Sequence, residues 1–147
     1  MKWERILLIA FLGNYIINNV VAGAVSLIPP SATPGLLTPQ YMTFVALSAV
    51  VVAFFAWWIS GRVSSLLGGI TFGVAGFLVA IATALVSGIS GVLQQSGSLA
   101  QVATVLPNFG PFLLSWSTLA LACYWIIPSA LIGWLTSMRT NNSSVTM

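Results

Sequence analysis

Four long apolar runs dominate the chain, covering residues 6–28, 41–59, 66–93 and 112–136. Helix rises about 1.5 Å per residue, so each run is long enough to cross a hydrocarbon core of about 30 Å. Helix is the form expected, because backbone groups in lipid must find their hydrogen bonds within the segment, and a barrel needs many alternating strands. The third run is longer than a crossing requires and is expected to tilt or project.

Polar and helix-breaking residues separate the runs. Pro29, Pro30, Pro34 and Pro39, with Gly35 among them, interrupt the first connection, since proline lacks an N–H donor and restricts the residue before it. Ser60-Gly61-Arg62 opens a short second connection. The third covers residues 94–111. There Ser98 and Gln101 have the spacing of a capping box, and Leu99, Val102, Ala103 and Leu106 follow helical spacing. A short interfacial helix is predicted, ending before Pro107.

Composition turns four apolar runs into a membrane protein. Of 147 residues, 59% are hydrophobic and 3% are charged, where a soluble domain carries about a quarter. The charged set is Lys2, Glu4, Arg5, Arg62 and Arg139, and there is no histidine. An acid–base pair, a zinc site and a haem ligand set all lack their residues, so neither an enzyme nor a cofactor or metal site is expected. The single cysteine, Cys123, cannot form a disulfide within the chain. Four scattered basic residues are no nucleic-acid footprint. The first helix also lacks the carboxylate on which small four-helix multidrug exporters depend, and that resemblance fails.

Charge then orients the spans. With four crossings, the N-terminus, the second connection and the C-terminus share a side, and all four basic residues lie in those three places. Cytoplasmic loops are enriched in Lys and Arg, so both termini are expected in the cytoplasm, with residues 137–147 as a short tail and the plasma (inner) membrane as the location. Trp3, Trp57, Trp58 and Trp134 suit the inner interface, Tyr41 and Trp116 the outer. Lys2, Arg5 and the apolar residues after them imitate a secretion signal ending at Ala22-Gly23-Ala24. Asn14, Asn18 and Asn19 interrupt that pattern, and the first helix is expected to be retained.

Two sets of residues stand out within the spans. Gly76, Ala80, Ala84 and Gly88 recur every four residues on the third, with Gly69 and Gly73 as a GxxxG pair. Small residues let helices approach closely in lipid, where no hydrophobic effect drives them together. They serve either the chain's own helices or a seam to a partner. The second set is polar. Asn14, Asn18, Asn19, Ser48, Thr83 and Tyr124 fall at similar mid-membrane depths, and unpaired amides cannot face hydrocarbon without cost. They act as interhelical glue or as the lining of a path. Pro128 is expected to kink the fourth helix and to free the Tyr124 carbonyl.

The expectation is an all-α integral membrane four-helix bundle, one domain over residues 1–147, made of two helical hairpins. The first functional reading is a non-enzymatic subunit or scaffold that assembles in the lipid bilayer with a membrane protein partner or with itself. The alternative is a passive channel or facilitator for water or a small neutral solute. A scaffold calls for a filled interior and an outward-facing small ridge; a facilitator calls for a polar path flanked by the asparagines.

Overall fold

The computed structural model describes residues 3–30, 38–59 and 65–143. All elements among them are helical and no strand occurs. The first span is α1 (Trp3–Ile16), a π-helical turn (Ile17–Val21) and α2 (Ala22–Val25) in unbroken succession. The other long helices are α3 (Pro39–Ile59), α4 (Leu66–Ser96) and α7 (Trp116–Ser143). Four helices are long and apolar enough to cross a membrane: Trp3–Val25, Pro39–Ile59, Leu66–Gln95 and Trp116–Arg139.

Local chemistry sets the boundaries and moves several from where hydropathy put them. Thr38 caps α3, its hydroxyl accepting from the Tyr41 N–H at 3.2 Å, and Pro39 takes the first helical position, where no donor is needed. α4 starts behind Ser65, whose hydroxyl accepts from the Gly68 N–H at 3.0 Å. It stops at Gly97, which has φ 64° and donates to the Leu93 carbonyl at 2.8 Å. Glycine takes this left-handed conformation without steric cost.

The predicted short helix is present as α5 (Leu99–Val105), capped by the Ser98 hydroxyl accepting from Ala100 N–H at 3.3 Å. A 3₁₀ turn (Leu106–Asn108) then leads into a further short helix that hydropathy had merged with the last span, α6 (Phe109–Leu113). Pro111 is tolerated there because the first N–H groups of a helix have no internal partner. The last span therefore begins at Trp116 rather than Phe112, after Ser115 receives the Thr118 N–H at 3.3 Å. At its other end the helix runs beyond residue 136. The Thr136 and Ser137 hydroxyls bond back to Ile132 and Trp134 carbonyls at 2.9 and 2.7 Å, so these polar residues do not stop it.

The spans pack in the cyclic order first span, α4, α7, α3. The closest pairing is α4 with α7, followed by α3 with α7 and α1 with α4. Both predicted hairpins therefore pack, but the tighter one is the second. Trp125, Phe72, Ile17 and Val52 are fully buried at the centre, with Phe55, Ala56 and Ile59 around them. The Trp125 and Phe72 rings meet edge to face at 6.0 Å. Outside lie Trp3, Leu8, Leu27, Trp57, Leu67 and Trp116, all at least 60% exposed. An apolar exterior on this scale suits contact with lipid or with another apolar surface. Lys2, Pro34, Gly35, Ser60-Gly61-Arg62 and residues 144–147 fall outside the described residues.

Candidate functional site

The site begins with how tightly α4 and α7 approach. Gly69, Gly73 and Gly76 all face α7. A Cβ on Gly69 would meet the backbone oxygen of Ser129, and one on Gly73 would lie 2.7 Å from Ile126 Cα. On Gly76 it would fall within the Trp125 ring. From α7, Gly133 closes the same seam, its added Cβ 2.6 Å from the Ser65 carbonyl oxygen. The indole of Trp125 thus occupies a notch cut by Gly76 on one side and Gly13 on the other, where a Cβ would be 3.2 Å from Trp125 Cη2. Gly13 and Gly133 escaped the sequence reading. Gly133 stands four residues from Ser129, a small-residue spacing on α7 that signals the seam.

The small-residue ridge therefore divides. Gly69, Gly73 and Gly76 seat α7, Ala80 and Ala84 line a cleft beyond Trp125, and Gly88 lies beside Phe109, where a Cβ would be 2.9 Å from the ring. All six positions are turned toward the chain's own helices or cleft.

The cleft has a volume of about 470 Å³ and is framed by the first span, α4 and α7. Asn14, Ala80 and Tyr124 are buried at its floor. Asn14, only 3% exposed, donates from Nδ2 to the Thr83 hydroxyl at 3.2 Å, and Thr83 donates to the Val79 carbonyl at 2.8 Å. Phe11, Tyr15, Asn18, Asn19 and Ser87 form an exposed rim. Tyr15 and Ser87 were not singled out beforehand, although Ser87 follows Thr83 by one helical turn.

The π turn explains one rim residue. Ala22 N–H reaches back five residues to the Ile17 carbonyl, so the local ladder carries one extra residue. Asn19 Nδ2 donates to the Tyr15 carbonyl at 2.8 Å and satisfies a backbone oxygen beside the widened turn. Asn19 is thereby occupied with its own helix. The Asn18 amide, the Tyr124 hydroxyl and Asn14 Oδ1 have no protein hydrogen-bond partner among the described residues. An unpartnered amide in hydrocarbon costs about 2–7 kcal/mol, so these groups call for a ligand, water or a neighbouring protein.

The structure thus brings Asn14, Asn18, Asn19, Thr83 and Tyr124 into one cleft. Ser48 is not among them. It is fully buried on α3, which lends no residue to the cleft, and its hydroxyl has no partner. Its depth suited the polar centre, but its helix packs elsewhere. Pro128 lies inside a continuous α7, and the next residue, Ser129, donates its hydroxyl to the Trp125 carbonyl at 2.6 Å. A second depression, of about 430 Å³, lies near the start of α7. Its Thr118 hydroxyl is spent on the Phe112 carbonyl at 2.7 Å, which leaves a largely apolar surface.

Chemically, the cleft offers neutral hydrogen-bond donors and acceptors and no charged side chain. It is suited to holding an uncharged polar group. Comparison with protein-family models, with curated proteins and with solved structures finds no match to this chain.

Proposed function

We propose that this chain is a non-enzymatic membrane protein that holds a small uncharged, hydrogen-bonding molecule at mid-membrane depth, as a passive facilitator. The observation that carries this reading is the gathering of Asn14, Asn18, Thr83 and Tyr124 around a cleft of about 470 Å³. Gly69, Gly73 and Gly76 of the small-residue ridge seat α7, and Ala80 and Ala84 line the cleft itself.

The test is solute flux in liposomes containing the purified protein, with glycerol and water as probes. Flux above that of protein-free vesicles is expected, lowered by Asn14→Leu and Asn18→Leu. Permeability equal to protein-free vesicles for all forms overturns the reading.

One observation favours assembly with a partner or a second copy as a second reading. Asn18 and Asn19 are exposed although they lie near the middle of a span, and a neighbouring helix would cover them. Gentle extraction followed by identification of co-purifying proteins tests it, and a stable monomer counts against it. We also propose that both termini are cytoplasmic in the plasma (inner) membrane, on the strength of the basic residues. Fluorescent-protein and phosphatase fusions at each end check this.

A further inference from the structure

A site for an uncharged molecule can fill from water or from lipid, and the position of its mouth separates the two. The rim residues on the first span are Phe11, Tyr15, Asn18 and Asn19, all exposed. The middle of the span Trp3–Val25 is Asn14. Asn18 is thus about 6 Å along the helix from the centre, against a hydrocarbon half-thickness of about 15 Å. At that depth an exposed side chain meets acyl chains, so the mouth opens sideways into the bilayer.

The floor narrows the chemistry of the occupant. Asn14 Oδ1 is an acceptor. The Tyr124 hydroxyl, on a side chain only 7% exposed and without a protein partner among the described residues, gives or takes a hydrogen bond. The Asn18 amide does both. A group carrying both a donor and an acceptor complements this set, whereas an acceptor-only carbonyl leaves Asn14 Oδ1 facing another oxygen. A charged or zwitterionic head is held at the interface by its solvation, while an uncharged one descends at lower cost. The recess also suits a head group better than a partner helix, because a helix about 10–12 Å across rests on the rim and does not reach Asn14 and Tyr124.

We infer that the cleft takes the head of a lipid-dissolved, uncharged alcohol or amide, of the diacylglycerol or long-chain alcohol kind, which enters laterally between the first span and α4. This rests on the cleft being a solute site, and it adds the phase from which the solute comes.

The experiment uses the full chain in phosphatidylcholine vesicles with a diacylglycerol that carries a diazirine close to its head. A phosphatidylcholine with the same photoreactive chain is the control. After irradiation, the expected labels fall on peptides containing residues 11–19 and 80–87, are enriched for diacylglycerol over phosphatidylcholine, and are competed by unlabelled diacylglycerol. Asn18→Leu and Tyr124→Phe should each lower that labelling about five-fold, the loss of roughly one hydrogen bond. Tyr124→Phe removes a single oxygen and keeps the ring, so it remains informative if Asn18→Leu disturbs folding.

Equal labelling by the two probes overturns the inference. If Asn18-dependent glycerol flux persists while diacylglycerol leaves the cleft unlabelled, the lipid occupant is refuted and the solute reading stands. If both are absent, both fall.

Discussion

Replacing Gly73 with alanine probes the seam on which the bundle is built. The added Cβ would sit 2.7 Å from Ile126 Cα and 2.9 Å from the Trp125 carbonyl oxygen, both backbone atoms that no rotamer change can move aside. Ordinary contact begins at 3.4 Å. The helices must therefore part by about 0.7 Å, and a gap of that order forfeits a quarter to a half of each dispersion contact along the seam. Overpacking of this kind costs about 1–3 kcal/mol. Alanine also raises helix propensity by about 1 kcal/mol over glycine, which would mask part of the effect. Gly91 supplies the reference, since it lies in the same helix and its Cβ would meet nothing within 4 Å. The propensity gain is common to both variants and cancels in the comparison. Gly73→Ala should thus be less stable than Gly91→Ala by about 2 kcal/mol. The assay is reversible unfolding by SDS in mixed micelles, followed by tryptophan fluorescence, because Trp125 is buried beside the seam. Equal midpoints for the two variants would refute the close approach of α4 and α7.

Other substitutions separate the roles of the polar residues. Ser48→Ala should be neutral or stabilising by up to about 1 kcal/mol in the same unfolding assay, since it removes a buried hydroxyl without a partner. A loss of 2 kcal/mol or more, read on the cited ~1–3 kcal/mol scale, would show a bonded role for Ser48. A double-mutant cycle of Asn14→Leu with Thr83→Val should give a coupling of about 0.6 kcal/mol, the usual size for a hydrogen bond between membrane helices. Asn19→Leu should destabilise by about 1 kcal/mol through loss of its bond to the Tyr15 carbonyl, while sparing diacylglycerol labelling relative to Asn18→Leu. Cys123 is exposed on α7 between the ends of a span. It should resist a charged maleimide in sealed or opened vesicles and react after SDS is added; ready labelling in opened vesicles would argue against a lipid-facing position.

Hydropathy and proline placement were sufficient to locate four spans and the short helix after Ser98, because the cost of unpaired backbone in lipid leaves helix as the available form. The ends of the spans were less legible. They depend on single hydroxyls, such as Ser115 and Thr136, that cap or prolong a helix by bonds invisible to an average over a window. The small residues of α4 were readable as packing positions, but whether they faced a partner or the chain itself depended on helix rotation.

The same limit applies to the polar set. Position along a span sets depth, so Asn14, Asn18, Ser48, Thr83 and Tyr124 all qualified for a common centre. Rotation about each helix axis then gathered four of them and placed Ser48 on a helix outside the cleft. The same packing seats Trp125 in the notch between Gly76 and Gly13, the second of which is more than a hundred positions away in the chain. Its partners are found only when the helices are packed. Composition and length were enough to set four helices long and apolar enough to cross a membrane and a chain with few charged side chains. Tertiary packing decided which face of each helix is buried against its neighbours and which is left exposed, and with it the location of the cleft.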